Sequence, residues 1–231
     1  MRRAPVAVAL DAPDLDTAVE WARVTSPHVT TMKVGLELFL RHGRQAVDAV
    51  RSVTDAAVFL DLKLHDIPNT VAGAARAVAD LEPAFLTVHA SGGAAMVRAA
   101  AEALPGTQVT GVTVLTSLTD DDVAEVGWSG PAADAVLRLA RLAVAAGARA
   151  LVCSPQEVAA VRAAVGPAVT LITPGVRPPG AGDGDQARVA TPAQALADGA
   201  DLLVVGRPIT AAAEPGEAAA TLAAALVGPA G

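Results

Sequence analysis

Eight short runs rich in β-branched and other apolar residues recur along the chain, at residues 6–10, 29–34, 57–62, 85–89, 109–115, 150–153, 169–173 and 202–205. Segments with the amphipathic spacing of helices lie between them, among them residues 14–25, 36–53, 71–81, 132–146 and 156–165. The runs are nearly all apolar and do not alternate, as parallel strands must be when helices cover one face and packed side chains fill the other. Eight such β-α units within 231 residues specify an α/β fold of the (β/α)8 TIM-barrel type, as one domain over residues 1–231. A doubly wound open sheet would carry a glycine-rich turn after its first strand; here that turn reads Asp11-Ala12-Pro13-Asp14. Residues 116–130 are long and irregular, so the fifth and sixth strands have the least defined ends.

Composition narrows the function classes. A formal charge of -7, 2% aromatic residues and no tyrosine leave neither a basic face to track phosphates nor a platform to stack bases, so nucleic acid is not an expected partner. The lone Cys153 excludes an internal disulfide and a cysteine metal cage, and its apolar surroundings mark it as a small core residue. Arg2 and Arg3 precede an apolar run, but Asp11, Asp14 and Asp16 follow too closely for a secretory signal, and the run reads as a first strand. No stretch of about 18 residues is free of charge and proline, so no membrane segment is expected and the chain reads as a soluble, cytoplasmic protein.

In a TIM barrel the reacting groups project from the carboxyl ends of the strands. Polar residues occupy most of those positions here: Asp11, Lys33, Asp61 with Lys63, His89, Thr116 with Ser117, Arg177 after the seventh run and Arg207 after the eighth. Asp61 and Lys63 are two apart on a strand and therefore share a face, with Lys33 arriving from the neighbouring strand. A lysine flanked by carboxylates is expected to keep its ammonium, which suits it to donate a proton and not to attack a carbonyl. Asp66 precedes Pro68 and reads as a helix N-cap, with Asn69 or Thr70 as alternatives. His65 and His89 read as hydrogen-bonded strand-end histidines, and His28 and His42 as structural or surface residues. The glycine- and proline-rich stretch 173–186, together with Gly206 and Arg207, occupies the two loops with which barrels commonly bind phosphate, so a phosphorylated substrate is favoured.

These residues carry a resemblance. The segments Asp61-Leu62-Lys63-Leu64-His65-Asp66-Ile67-Pro68-Asn69-Thr70, His89-Ala90-Ser91-Gly92-Gly93, Leu115-Thr116-Ser117, Thr173-Pro174-Gly175-Val176-Arg177 with Asp185-Gln186, and Val204-Val205-Gly206-Arg207-Pro208-Ile209 make the chain resemble the bacterial orotidine 5'-monophosphate decarboxylases essentially end to end. The decapeptide is specific in full; its core, Asp-x-Lys-x-x-Asp, is shared by related barrel enzymes. The resemblance implies a cofactor-free, metal-free carboxy-lyase that converts orotidine 5'-monophosphate to uridine 5'-monophosphate and carbon dioxide, the last step of de novo pyrimidine synthesis. It implies that Lys63 protonates C6 of the ring, that Asp61 lies beside the departing carboxylate, and that Asp11 and Lys33 hold the ribose hydroxyls. Thr116 or Ser117 would meet the pyrimidine edge, while Arg177, Gln186, Gly206 and Arg207 would grip the phosphate. Asp66 and Thr70 would reach into a partner's site across a homodimer interface.

Two other activities fit parts of the same pattern. A metal-dependent sugar-phosphate enzyme shares Asp-x-Lys-x-x-Asp, but Lys33 would repel its cation. A Schiff-base aldolase needs a neutral lysine amine, which the flanking carboxylates disfavour. A catalytically silent phosphometabolite-binding barrel could keep Arg207 and its loop but has no need of Lys33, Asp61 and Lys63 together.

Overall fold

A computed structural model describes residues 2–176 and 190–227. Its elements, in chain order, are β1 (Ala4–Ala9), α1 (Leu15–Thr25), β2 (Val29–Gly35), α2 (Leu36–His42), α3 (Arg44–Arg51), β3 (Ala57–Leu64), α4 (Pro68–Ala77), β4 (Phe85–His89), α5 (Ala94–Ala103), β5 (Gln108–Val112), α6 (Asp120–Glu125), α7 (Ala132–Ala145), β6 (Ala150–Val152), α8 (Val158–Val165), β7 (Thr170–Thr173), α9 (Pro192–Ala197), β8 (Leu202–Val205), α10 (Arg207–Thr210) and α11 (Pro215–Val227). The eight strands close into a parallel barrel in sequence order, β1 pairing with β8, so the TIM-barrel expectation holds.

Closure divides the apolar residues into two cores, because successive side chains on a strand point to opposite faces. Inside the barrel, Ala7, Phe59, Phe85, Ala150, Ile172 and Leu202 pack together. Phe59 and Phe85 meet edge to face with ring centroids 5.7 Å apart, filling the floor below the mouth. Outside, Val8, Leu60, Leu86, Leu151, Leu171 and Leu203 pack under helices that present mainly alanine and valine, such as Ala18 and Ala22 of α1 and Ala140 and Ala143 of α7. Losing a fully buried side chain such as Phe59 would cost about 3–5 kcal/mol. Cys153 belongs to the outer core, and burial pushes its thiol pKa up to about 12, which matches its reading as an inert packing residue.

Local chemistry explains the element ends. Asp14 caps α1 by accepting the Thr17 N–H at 2.8 Å. The single helix expected over residues 36–53 is two, because Gly43 takes φ +56° between α2 and α3, a conformation that ends one helix and turns into the next. Asp66 is not the N-cap of α4. Pro68, with its preset φ and no N–H to satisfy, occupies the first turn and makes Ile67 the cap residue; the Asp66 carboxylate instead accepts the Ile67 N–H at 2.6 Å. The fifth strand is shorter than its apolar run and ends at Val112. There β6 runs out, its last carbonyl, on Val152, accepting both the Thr113 N–H (3.2 Å) and the Thr113 hydroxyl (2.9 Å). Thr116 and Ser117 therefore stand on a loop and not at a strand end. The irregular stretch beyond them contains α6, whose start is a capping box between Thr119 and Asp122.

Candidate active site

The barrel mouth opens into a pocket of about 480 Å³, within the range that holds a small metabolite. Phe59 lies at its floor, and Ala9, Val112, Val152 and Val204 contribute apolar wall. Asp11, Lys33, Asp61 and Lys63 supply its charge.

Register aligns these groups. Ala9 pairs with Lys33, and Gly35 with Asp61, so β1, β2 and β3 deliver their terminal side chains at adjoining levels. The Lys33 ammonium lies 3.4 Å from Asp11 Oδ1 and 3.3 Å from Asp61 Oδ2. Lys63 Nζ donates to both oxygens of Asp61, at 2.9 and 2.8 Å. Four charges thus alternate Asp11, Lys33, Asp61, Lys63 and sum to zero. Lys33 and Asp61 are 7% and 8% exposed, so solvent screens their interaction only weakly. Burial is the largest influence on Asp61 and pushes its pKa up, but Lys33, Lys63 and the hydrogen bonds from Lys63 and Thr87 together outweigh it, and the net shift is downward. The carboxylate is ionised at neutral pH, between two ammonium groups.

Two further residues belong to this arrangement, and neither carries the charge that marks a strand end in the sequence. Gly35 ends β2 so close to the array that a Cβ there would stand 2.5 Å from Asp11 Oδ1 and 2.9 Å from Lys33 Nζ. Thr87, fully buried on β4, donates its hydroxyl to Asp61 Oδ1 at 3.0 Å. Strand parity carries the signal for Thr87, since it is two residues before His89 and shares its face. Gly35 has no signal beyond its place directly after a strand that contains Lys33.

The other expected residues divide. Thr116 lines the pocket, whereas Ser117 is exposed and does not. Pro174, Gly175, Gly206 and Arg207 line the side formed by the loops after β7 and β8. Arg177 and Gln186 lie outside the described residues. Asp66 and Thr70 are exposed and do not line the pocket of their own barrel. Ile67, between them, is 65% exposed. His65 and His89 approach each other with ring centroids 5.3 Å apart but do not line the pocket; burial, then His65 and Lys63, push the His89 pKa down. His28 and His42 lie away from the pocket. Among the described residues no three His, Cys, Asp or Glu side chains come together in a way that could hold a metal ion, and no helix is long and apolar enough to cross a membrane.

Residues 4–222 match the model of the orotidine 5'-phosphate decarboxylase / HUMPS family. Among curated relatives, the chain is 70% identical to an orotidine 5'-phosphate decarboxylase of Thermobifida fusca over 96% of each chain. It is 56% identical to one of Frankia casuarinae, over 97% of this chain and 88% of that one. Among solved structures, orotidine 5'-phosphate decarboxylase from Lactobacillus acidophilus superposes with a TM-score of 0.82 at 37% identity, covering 94% of this chain and 96% of that one.

Proposed function

Since this chain belongs to the orotidine 5'-phosphate decarboxylase / HUMPS family, we propose that it decarboxylates orotidine 5'-monophosphate to uridine 5'-monophosphate, the closing step of de novo pyrimidine nucleotide synthesis. The observation that carries this reading is the alternating Asp11, Lys33, Asp61, Lys63 array at the mouth of the barrel, with Lys63 Nζ held at 2.8 Å from Asp61.

The chemistry follows from what the array supplies. Breaking the bond between ring carbon C6 and the carboxyl carbon leaves the electron pair on C6 as carbon dioxide departs, and the ring offers that pair no good sink. An ammonium fixed beside C6 stabilises the developing charge and then transfers a proton to it, giving the product C–H bond. Lys63 takes that role and recovers its proton from solvent. Asp61 fixes the Lys63 ammonium and lies where the departing carboxylate is seated. Lys33 completes the charge alternation and, with Asp11, reaches the ribose hydroxyls. Because the two acids and two bases are already paired before substrate arrives, little reorganisation is needed as charge moves.

The phosphate is assigned to the side of the pocket formed after β7 and β8, to Gly206 and Arg207, together with Arg177 and Gln186. Binding energy gathered there, far from C6, raises the rate by holding the ring against the array. Thr116, and not Ser117, is assigned to the pyrimidine edge.

Asp66 and Thr70 are assigned to the active site of a second copy. The support is their position: they flank exposed Ile67 on a segment that leads from Lys63 out of its own pocket, and Leu36 and Leu40 on α2 add exposed apolar surface, Leu40 at 77% exposure. On this reading the enzyme works as a homodimer with shared sites, in the cytoplasm. A metal-dependent sugar-phosphate reaction on this barrel is less well supported, because the Asp61 carboxylate already faces two ammonium groups.

The decisive experiment follows the ultraviolet absorbance of orotidine 5'-monophosphate with EDTA-treated protein. Loss of the substrate band with formation of uridine 5'-monophosphate is expected; unchanged absorbance from folded protein would sink the assignment.

A further inference from the structure

The proton donor of the proposed reaction stands on an irregular piece of backbone. Strands β3 and β4 pair regularly through Phe59 with Phe85 and Leu60 with Leu86, but the next aligned pair is Leu64 with Val88. Four steps along β3 match two along β4, so two extra residues are bulged out of β3 between Leu60 and Leu64. Lys63 lies in that bulge with φ +48°, in the left-handed region that costs a non-glycine residue on the order of 1–3 kcal/mol unless its surroundings hold it.

What holds it is one side chain. The Lys63 N–H, displaced from the regular ladder, donates to Thr87 Oγ1 at 2.8 Å. The same hydroxyl donates its own hydrogen to Asp61 Oδ1 at 3.0 Å. Thr87 is fully buried, so water does not substitute for either bond. A single hydroxyl therefore ties the backbone of Lys63 to the carboxylate that receives the Lys63 ammonium, closing a loop from Lys63 N through Thr87 Oγ1 and Asp61 to Lys63 Nζ. With both ends of Lys63 anchored, its ammonium has little freedom to leave the position facing the pocket.

We propose that Thr87 is a positioning residue for proton delivery: its hydroxyl holds the left-handed Lys63 backbone and the Asp61 carboxylate in one geometry, so that the Lys63 ammonium meets the reacting carbon. This rests on the decarboxylase reading above. Thr87 touches no substrate and acts through Lys63 and Asp61, so its contribution falls on the chemical step and not on binding.

The test is Thr87→Val, which keeps the branched shape and removes the hydroxyl, beside Thr87→Ser, which keeps the hydroxyl and removes a methyl. In the valine protein kcat is expected to fall at least about tenfold, the scale of a hydrogen bond lost to a charged group, while KM and uridine 5'-monophosphate affinity stay within about threefold. The serine protein is expected to recover kcat to within about threefold of the unaltered enzyme. The proposal is overturned if the valine protein keeps kcat within about twofold, if its loss lies mainly in KM, or if serine is as impaired as valine, since the last result would assign the effect to packing. Should the valine protein not fold, Thr87→Cys takes its place: its weak donor and acceptor should lower kcat about tenfold with binding retained, and unaltered kcat would overturn the proposal. An inactive unaltered enzyme would refute the decarboxylase reading itself, whereas active enzyme with indifferent Thr87 variants refutes only this inference.

Discussion

Gly35→Ala adds one methyl group to the charge array and leaves its charges in place. The new Cβ would lie 2.5 Å from Asp11 Oδ1 and 2.9 Å from Lys33 Nζ. An ordinary contact needs about 3.5 Å, so the Asp11 carboxylate must withdraw by roughly 1 Å and the Lys33 ammonium by somewhat less. Asp11 has room to move, since half its side chain is exposed; Lys33, at 9% side-chain exposure, has little, so the alternation of Asp11, Lys33 and Asp61 loosens. A displacement of about 1 Å in a positioning group costs on the order of 100-fold in rate, equivalent to about 2.7 kcal/mol of transition-state stabilisation. The fold should hardly register the change. Gly35 has φ −90° and ψ 179°, extended backbone open to alanine. Alanine is the poorer cap for α2 by about 0.5–1 kcal/mol, and it returns about 0.4–1 kcal/mol by restricting the unfolded chain. The melting temperature should therefore move by no more than about 2 °C while kcat/KM for orotidine 5'-monophosphate falls about 100-fold. Absorbance kinetics and thermal unfolding on the same preparation check both halves. A folded alanine variant with kcat/KM within threefold of the unaltered enzyme would refute the packed-array account.

Lys63→Ala should abolish turnover while calorimetric binding of uridine 5'-monophosphate stays within about tenfold; appreciable remaining turnover would remove Lys63 as the proton donor. Asp61 has its folded pKa depressed below the usual ~3.9, so the stability its charge contributes is complete above that value and is lost as the pH falls through the lower, folded one. Asp61→Asn should accordingly destabilise the protein by about 3 kcal/mol, constant from about pH 5 to 8 and shrinking below about pH 4, as read by denaturant unfolding. Mixing inactive Lys63→Ala with inactive Asp66→Ala subunits should restore about one quarter of full turnover, because random exchange makes half the dimers mixed and each mixed dimer has one intact site. No recovery after verified subunit exchange would confine Asp66 to its own barrel.

The barrel itself was legible because each strand is a short apolar run and each helix a longer amphipathic one, signals that need only neighbours in sequence. The placement of Lys33, Asp61 and Lys63 was legible for a related reason: strand parity and strand ends define where a side chain points. Element ends were less so. Pro68 moved the start of α4 away from Asp66, and the fifth apolar run outlasted its strand because β6 ends at Val152, directly opposite Val112. Such boundaries depend on partners that local spacing does not reveal.

The amino-acid sequence by itself determined the eight-fold alternation, the inward-facing charges at the ends of β1, β2 and β3, and the resemblance that names the reaction. Only the tertiary structure decided how those charges are spaced. The two-residue bulge in β3, the left-handed Lys63, the Thr87 hydroxyl bridging it to Asp61, and the bare Gly35 against Asp11 and Lys33 all arise from the register between neighbouring strands. Register is set when the barrel closes and its two cores pack, a condition on all eight strands at once that no single stretch of chain expresses.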